Sequence, residues 1–372
     1  MSSRLDTVSI LRTIVAYKTV SSESNLPLVD WLHGYLENCG GRVRRTFNAE
    51  KTKANILASF GPEGDGGIVL SGHTDVVPVD GQAWSSDPFT LREEDDRVYA
   101  RGAVDMKGFV AACLGVVARA KAERLAKPLH VALSYDEEVG CIGVSRMVDD
   151  MIENVGRPQL AVIGEPTEMS VGHSHRGIVS CRTSFRGKAG HSSQPDLGVN
   201  AIYPAAKLVS FIQELGARHQ ASGSPTTFNV GRIDGGVAMN VIPEACNVCW
   251  EARTAHPDDA VNALQAVEQH LNNMRNDPST CQNDVLCSAP ALRADQNGDA
   301  LALLAKVGAG LPAQNLPFCT EAGFFQAAGL QTVVCGPGSI AQAHKSDEWI
   351  SRAQLQAADD MLGGIFAWCT SR

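Results

Sequence analysis

Apolar residues recur at two spacings along the chain, and each predicts its own kind of element. Val8, Ile10, Leu11, Ile14 and Val15 fall three or four apart with Asp6 and Arg12 among them, which predicts an amphipathic helix. A secretion signal would need an unbroken apolar stretch there instead. Ile68 to Leu70, His130 to Leu133 and Leu160 to Ile163 are short continuous runs rich in Val, Ile and Leu, the pattern of parallel strands buried on both faces. Asp105 to about Ala122 reads as a helix between two of them, and Thr332 to Cys335 is a fourth run of the same kind. Strands alternating with helices predict an α/β catalytic domain, a mainly parallel sheet flanked by helices, with functional residues at the carboxyl ends of its strands.

From about residue 173 to 290 the order changes. Gly177 to Arg186, Thr226 to Ile233 and Cys246 to Thr254 read as strands, Asn200 to Leu215 and Asp258 to about Met274 as helices, and a weak strand follows near Val285. That succession, β-α-β-β-α-β, is ferredoxin-like α+β. Because the parallel pattern resumes afterwards, 173–290 reads as a domain inserted into one built from 1–172 and 291–372. Cys246 and Cys249 have a CxxC spacing, but on a strand positions three apart face opposite sides, which argues against a redox or zinc clip.

Composition narrows the function. The 372 residues carry 32 Lys+Arg against 41 Asp+Glu, a formal charge of −9. An acidic chain without a basic run is a poor binder of nucleic acid or anionic membrane, where positive charge supplies most of the affinity. The longest stretch free of formal charge, Ala322 to Ala343, is interrupted by four Gly and a Pro and is no bilayer helix. The 11 Cys are scattered and odd in number, as in a reduced, cytoplasmic protein rather than a disulfide framework. Chemistry on a small molecule is the expectation that remains.

The strand ends carry that chemistry. The first run stops at Ser71-Gly72-His73-Thr74-Asp75, the second at Ser134-Tyr135-Asp136-Glu137-Glu138, the third at Gly164-Glu165-Pro166, and the fourth leads through Gly336-Pro337-Gly338 to His344. Each feature alone reads as a cap or a solvated charge, but their coincidence at one sheet edge does not follow from structural need. With His73, Asp105, Glu138, Glu165 and His344 there are ligands enough for two metals about 3.5–4 Å apart, provided that one carboxylate bridges. Asp75 is placed to orient the His73 imidazole, and either Glu137 or Glu138 is left as a general base for water.

In combination, Ser71 to Pro78, Ala100-Arg101-Gly102-Ala103-Val104-Asp105-Met106-Lys107-Gly108, Asp136 to Gly140, Gly164 to Thr167 and Ala343-His344-Lys345 resemble the signatures of the dinuclear zinc aminoacylase and carboxypeptidase family. Within it, Gly72 to Phe89, Thr320-Glu321-Ala322-Gly323 and Val334 to Ser339 are most similar to the members that remove acetate from N-acetyl-L-ornithine. The resemblance implies two zinc ions, with cobalt able to replace them. It implies that Asp105 bridges, that His73 and Glu165 complete one site and Glu138 and His344 the other, that Glu137 is the base, and that the Asp105-Met106 peptide is cis.

The inserted domain has a second cluster. On its own, His191 in Gly187-Lys188-Ala189-Gly190-His191-Ser192 reads as a turn residue exposed to water. The resemblance gives it another role, reaching across a homodimer formed through 173–290 to stabilise the oxyanion in the partner subunit's site. It also gives Asn240 and Arg253 as substrate-binding positions. A guanidinium suits the α-carboxylate of an N-acyl amino acid. Glu321 reads either as the partner of a cationic substrate side chain or as a cap of the following helix. His173 and His175 alternate on one strand and read as structural.

Overall fold

The computed structural model describes residues 6–274 and 279–371. They form two compact units: one runs up to His175 and resumes at Leu292, and the other is Arg176–Ala291. His173 to His175 complete a strand of the first unit, Ser170–His175, so the second begins just after them.

In the first unit, eight strands lie in the order Arg42–Phe47, Ala54–Phe60, Leu129–Ser134, Ile68–His73, Leu160–Pro166, Gln331–Gly336, Ser170–His175 and Gly310–Leu316. The middle four are mutually parallel. They are also the apolar runs of the sequence, buried along nearly their whole length. Antiparallel pairings flank them on both sides. The helix Lys107–Val117 is apolar all round, and every one of its residues is buried. It packs on helices Thr7–Val15 and Arg352–Thr370 and against strands Ile68–His73 and Leu160–Pro166. Lys107 can be buried there because its ammonium donates to the Ile14 and Tyr17 carbonyls, 3.1 and 2.9 Å away at the open end of the first helix. Gly164 is required by this packing, since a Cβ there would lie 2.0 Å from the Phe109 ring.

In the second unit, Thr227–Gly235, Ala245–Thr254, Gly177–Arg186 and Thr280–Ala289 form one antiparallel sheet in that order. Helices Ile202–Ala221 and Pro257–Asn273 pack on each other and on this sheet, around Val179, Phe185, Leu208, Val248 and Trp250. The order of elements is the ferredoxin-like one. Cys246 is buried and Cys249 part-exposed, on opposite faces of their strand. No Cys among the described residues is in a disulfide. Among the described residues, no helix is long and apolar enough to cross a membrane.

Candidate metal centre

Parallel strands end together, so the polar residues that follow the apolar runs of the first unit converge. His73 is the last residue of its strand and is fully buried. Its Nδ1 donates to the Asp75 main-chain carbonyl (2.9 Å), which turns Nε2 towards Asp105 Oδ1 at 3.1 Å and Glu165 Oε1 at 3.6 Å. The other Asp105 oxygen, Oδ2, lies 3.2 Å from His344 Nε2, and Glu138 Oε2 lies 3.0 Å from that same nitrogen. Asp105 thus faces one imidazole with each oxygen. The Asp105-Met106 peptide is cis.

These are acceptor atoms brought together without donors enough to satisfy them. Glu138 Oε1 is buried with no hydrogen-bond partner. Among the described residues, ligand atoms of His73, Glu137 and Glu165, and of His73, Asp105 and Glu138, lie within 4.8 Å of one another. The electrostatics agree. Burial, then Asp105 and other carboxylates, pushes Glu165 well above the usual range and raises Glu138. Burial opposes the charged form of His73, yet the hydrogen bond to Asp105 and the charges of Glu165 and Glu137 lift it well above an ordinary histidine. Hydrogen bonds to Asp105 and Glu138 raise His344 to about 10. Buried carboxylates beside imidazoles fit hard or borderline divalent cations, whose charge would relieve that repulsion.

Glu137 sits on a tight loop beside this cluster. Its carbonyl accepts the Gly140 and Cys141 N–H groups, both at 2.9 Å. Cys141, at φ 56° in the left-handed region, brings its Sγ 3.4 Å from Glu137 Oε1. Burial, then the charges of Glu138, Asp105 and Asp75, pushes the Glu137 carboxyl up to about 8. The Asp75 carboxylate, expected to orient His73, is 3.6 Å from Nδ1, beyond hydrogen-bond reach. It accepts instead the backbone N–H groups of Glu137 (3.1 Å) and Glu138 (3.3 Å) and the Ser21 hydroxyl (2.7 Å). Asp75 therefore steers His73 through its main chain and the two glutamates through its side chain.

Glu321 differs from both of its expected roles. It is fully buried, its side chain makes no cap hydrogen bond, and its oxygens accept from Ser71 Oγ and from Ser134 Oγ, the latter at 2.7 Å. Burial raises its carboxyl. With no exposed surface and both oxygens engaged, it presents nothing to a cationic substrate. His175 Nε2 is 3.0 Å from Thr320 Oγ1. In the second unit His191 is exposed, with Nδ1 2.7 Å from Ser193 Oγ. Asn240 is exposed and its carbonyl accepts the Ser192 N–H, while Arg253 forks onto both oxygens of Glu251, each at 3.2 Å. The sequence reading misses Arg101 and Glu348, which hold the Asp105 segment. An acidic pair before a strand, Asp347-Glu348 ahead of Trp349–Ser351, is the one signal it leaves.

Comparison with known proteins places this arrangement in a family. Residues 69–367 match the model of peptidase family M20/M25/M40. An acetylornithine deacetylase of Myxococcus xanthus is 34% identical over 99% of this chain and 100% of its own length. One of Pasteurella multocida is 32% identical over 96% of each chain. An M20 family metallo-carboxypeptidase of Sulfolobus solfataricus superposes with a TM-score of 0.80 at 17% identity, covering 98% of this chain and 100% of that one, which supports the fold. Matched over most of its length, and with a cluster of carboxylates and imidazoles able to hold a metal where its parallel strands end, the chain belongs to peptidase family M20/M25/M40 and is a metal-dependent hydrolase.

Proposed function

We propose that the protein hydrolyses N-acetyl-L-ornithine to L-ornithine and acetate, in the cytoplasm and in arginine biosynthesis, using two zinc ions that cobalt can replace. The observation that carries the metal part is Asp105 facing one imidazole with each oxygen. The names of the two full-length relatives support the substrate.

In this reading His73 and Glu165 would hold one ion and Glu138 and His344 the other, with Asp105 placed to serve both. Divalent zinc so held would supply Lewis acidity, polarising an amide carbonyl and lowering the pKa of water towards ~7. Glu137 moves the proton. Its carboxylate takes one from the attacking water and returns it to the amine nitrogen as the C–N bond breaks. Asp75 keeps Glu137 and Glu138 in register by holding their backbone N–H groups. Arg253 and Asn240 take the α-carboxylate, for which Arg253 must exchange its fork on Glu251. His191 donates to the oxyanion in the site of the other subunit of a homodimer formed through the inserted unit. His191→Ala is therefore expected to lower kcat by roughly 10²–10³-fold. Unchanged turnover would return His191 to the role of a turn residue.

The burial of Glu321 favours a second reading. It removes the sequence's candidate receptor for the ornithine ammonium, so the same chemistry on acetylcitrulline, N-succinyl-diaminopimelate or a dipeptide stands as the alternative. The deciding measurement is kcat/KM of the zinc- or cobalt-loaded protein on N-acetyl-L-ornithine beside these substrates and acetylmethionine. A preference of about tenfold or more, ~1.4 kcal/mol in transition-state binding, is expected for acetylornithine. A preference for another substrate would remove the pathway and keep the mechanism.

A further inference from the structure

The segment that delivers Asp105 has no regular structure of its own, and what holds it is a buried ion pair. Arg101 and Glu348 are each 1% exposed, and the guanidinium donates to Glu348 Oε2 at 2.7 Å. The same carboxylate accepts the backbone N–H groups of Gly102 (3.0 Å), Val104 (2.8 Å) and Asp105 (3.2 Å). Every partner is a donor, so Glu348 serves as an ionised acceptor. Gly102 itself is at φ 82°, where a Cβ would lie 2.8 Å from Val76.

Arg101 carries the connection to two further segments. It donates to the Pro78 carbonyl (3.4 Å), the Gln82 side-chain oxygen and the Lys345 carbonyl (3.3 Å), and it packs with its Cζ 5.0 Å from the Trp84 ring. The Gln82 amide donates in turn to the His344 carbonyl at 2.9 Å. His344 needs such support, because its side chain is 54% exposed and its φ is 63°. One ion pair thus ties together the loop that leaves the His73 strand, the segment 101–105 and the segment 344–348. Apolar residues can match a buried pair in stability. They cannot accept three backbone N–H groups.

We propose that Glu348, acting with Arg101 and Gln82, is a positioning residue that sets the Asp105 and His344 backbones for metal binding. This rests on the reading of Asp105 and His344 as ligands. Glu348→Gln puts an amide donor among backbone donors and leaves Arg101 without its counter-charge. Gln82→Leu removes the part-exposed link to His344, together with the contacts of the same side chain to Arg101 and Trp84, and leaves the bonds of Glu348 in place.

The test uses the full-length protein and Co²⁺ alone, with affinity read by equilibrium dialysis, the visible cobalt spectrum recorded alongside, and the melting temperature of the metal-free protein as a control. Glu348→Gln is expected to bind cobalt about 10–100-fold more weakly, with an altered spectrum. Gln82→Leu is expected to shift affinity the same way, with an unchanged metal-free melting temperature. Wild-type cobalt affinity and spectrum in both variants would overturn the proposal, whatever the melting temperatures. Should Glu348→Gln fail to fold, Gln82→Leu decides. Asp105→Asn separates the premises: wild-type cobalt binding there sinks the ligand reading, while loss there alone sinks only the role of Glu348.

Discussion

Glu137→Gln is expected to retain both metals and to lose about 10²–10⁴-fold in kcat, with KM little changed, the range over which a general acid–base residue acts. The geometry separates it from its neighbour. Glu138 Oε2 lies 3.0 Å from His344 Nε2, and its other oxygen is buried without a partner. Glu137 Oε1 faces the Cys141 thiol. Glutamine keeps the size of the side chain, and the loop stays in place because the Gly140 and Cys141 N–H groups donate to the main-chain carbonyl of residue 137. What it cannot do is accept a proton. Metal content by atomic absorption beside steady-state kinetics checks this. Loss of one metal equivalent in Glu137→Gln, together with full metal content in Glu138→Gln, would exchange the roles of the two glutamates.

Removing the metals is expected to weaken the fold by an amount that grows with pH. A ligand present at about 1,000 times its Kd stabilises by ~4 kcal/mol, and this is lost on chelation at pH 8. Near pH 5.5 the loss should be far smaller. In the metal-free fold, burial and neighbouring carboxylates hold Glu137 at about 8, and hydrogen bonds from its imidazole hold His344 at about 10. Both are raised, so the stability they contribute is present below their unfolded values and is lost as pH rises through the folded ones. Metal has to displace those protons, which lowers its stabilisation by roughly 1.4 kcal/mol per pH unit for each proton displaced. Denaturant unfolding with and without chelator at the two pH values measures the difference. An equal loss at both would mean that the cluster carries no protons to displace.

What the sequence revealed follows from which forces are local. The four central strands are legible because both faces are buried and the apolar runs are continuous. Arg42–Phe47 is hidden, since three Arg in six residues on an antiparallel edge read as loop. Gly310–Leu316 is hidden by its Pro and polar residues. His73, Glu138, Glu165 and His344 are legible because parallel strands end together, so position after each run fixes position in space, whereas Asp105, on an irregular segment, takes its role from the family resemblance. Glu348 is not legible, because its meaning lies in Arg101, 247 positions away. Glu321 misleads for the same reason: a carboxylate ahead of a helix suggests a cap or a receptor, and only tertiary structure brings Ser71 and Ser134 to it.

The chain leaves the metal-bearing unit and returns to it at a single point. His175 and Leu292 exchange both main-chain hydrogen bonds, each 3.1 Å long, as neighbours in a ladder do. Everything between them is one uninterrupted stretch of polypeptide that carries His191, Asn240 and Arg253 and none of the residues gathered around Asp105. That stretch is a cassette. Two or three flexible residues joining 175 to 292 span its removal, and a homologous piece can be spliced in at the same junction. On the proposed roles, substrate recognition and the oxyanion donor then travel together on one exchangeable piece, apart from the residues that would hold the metals.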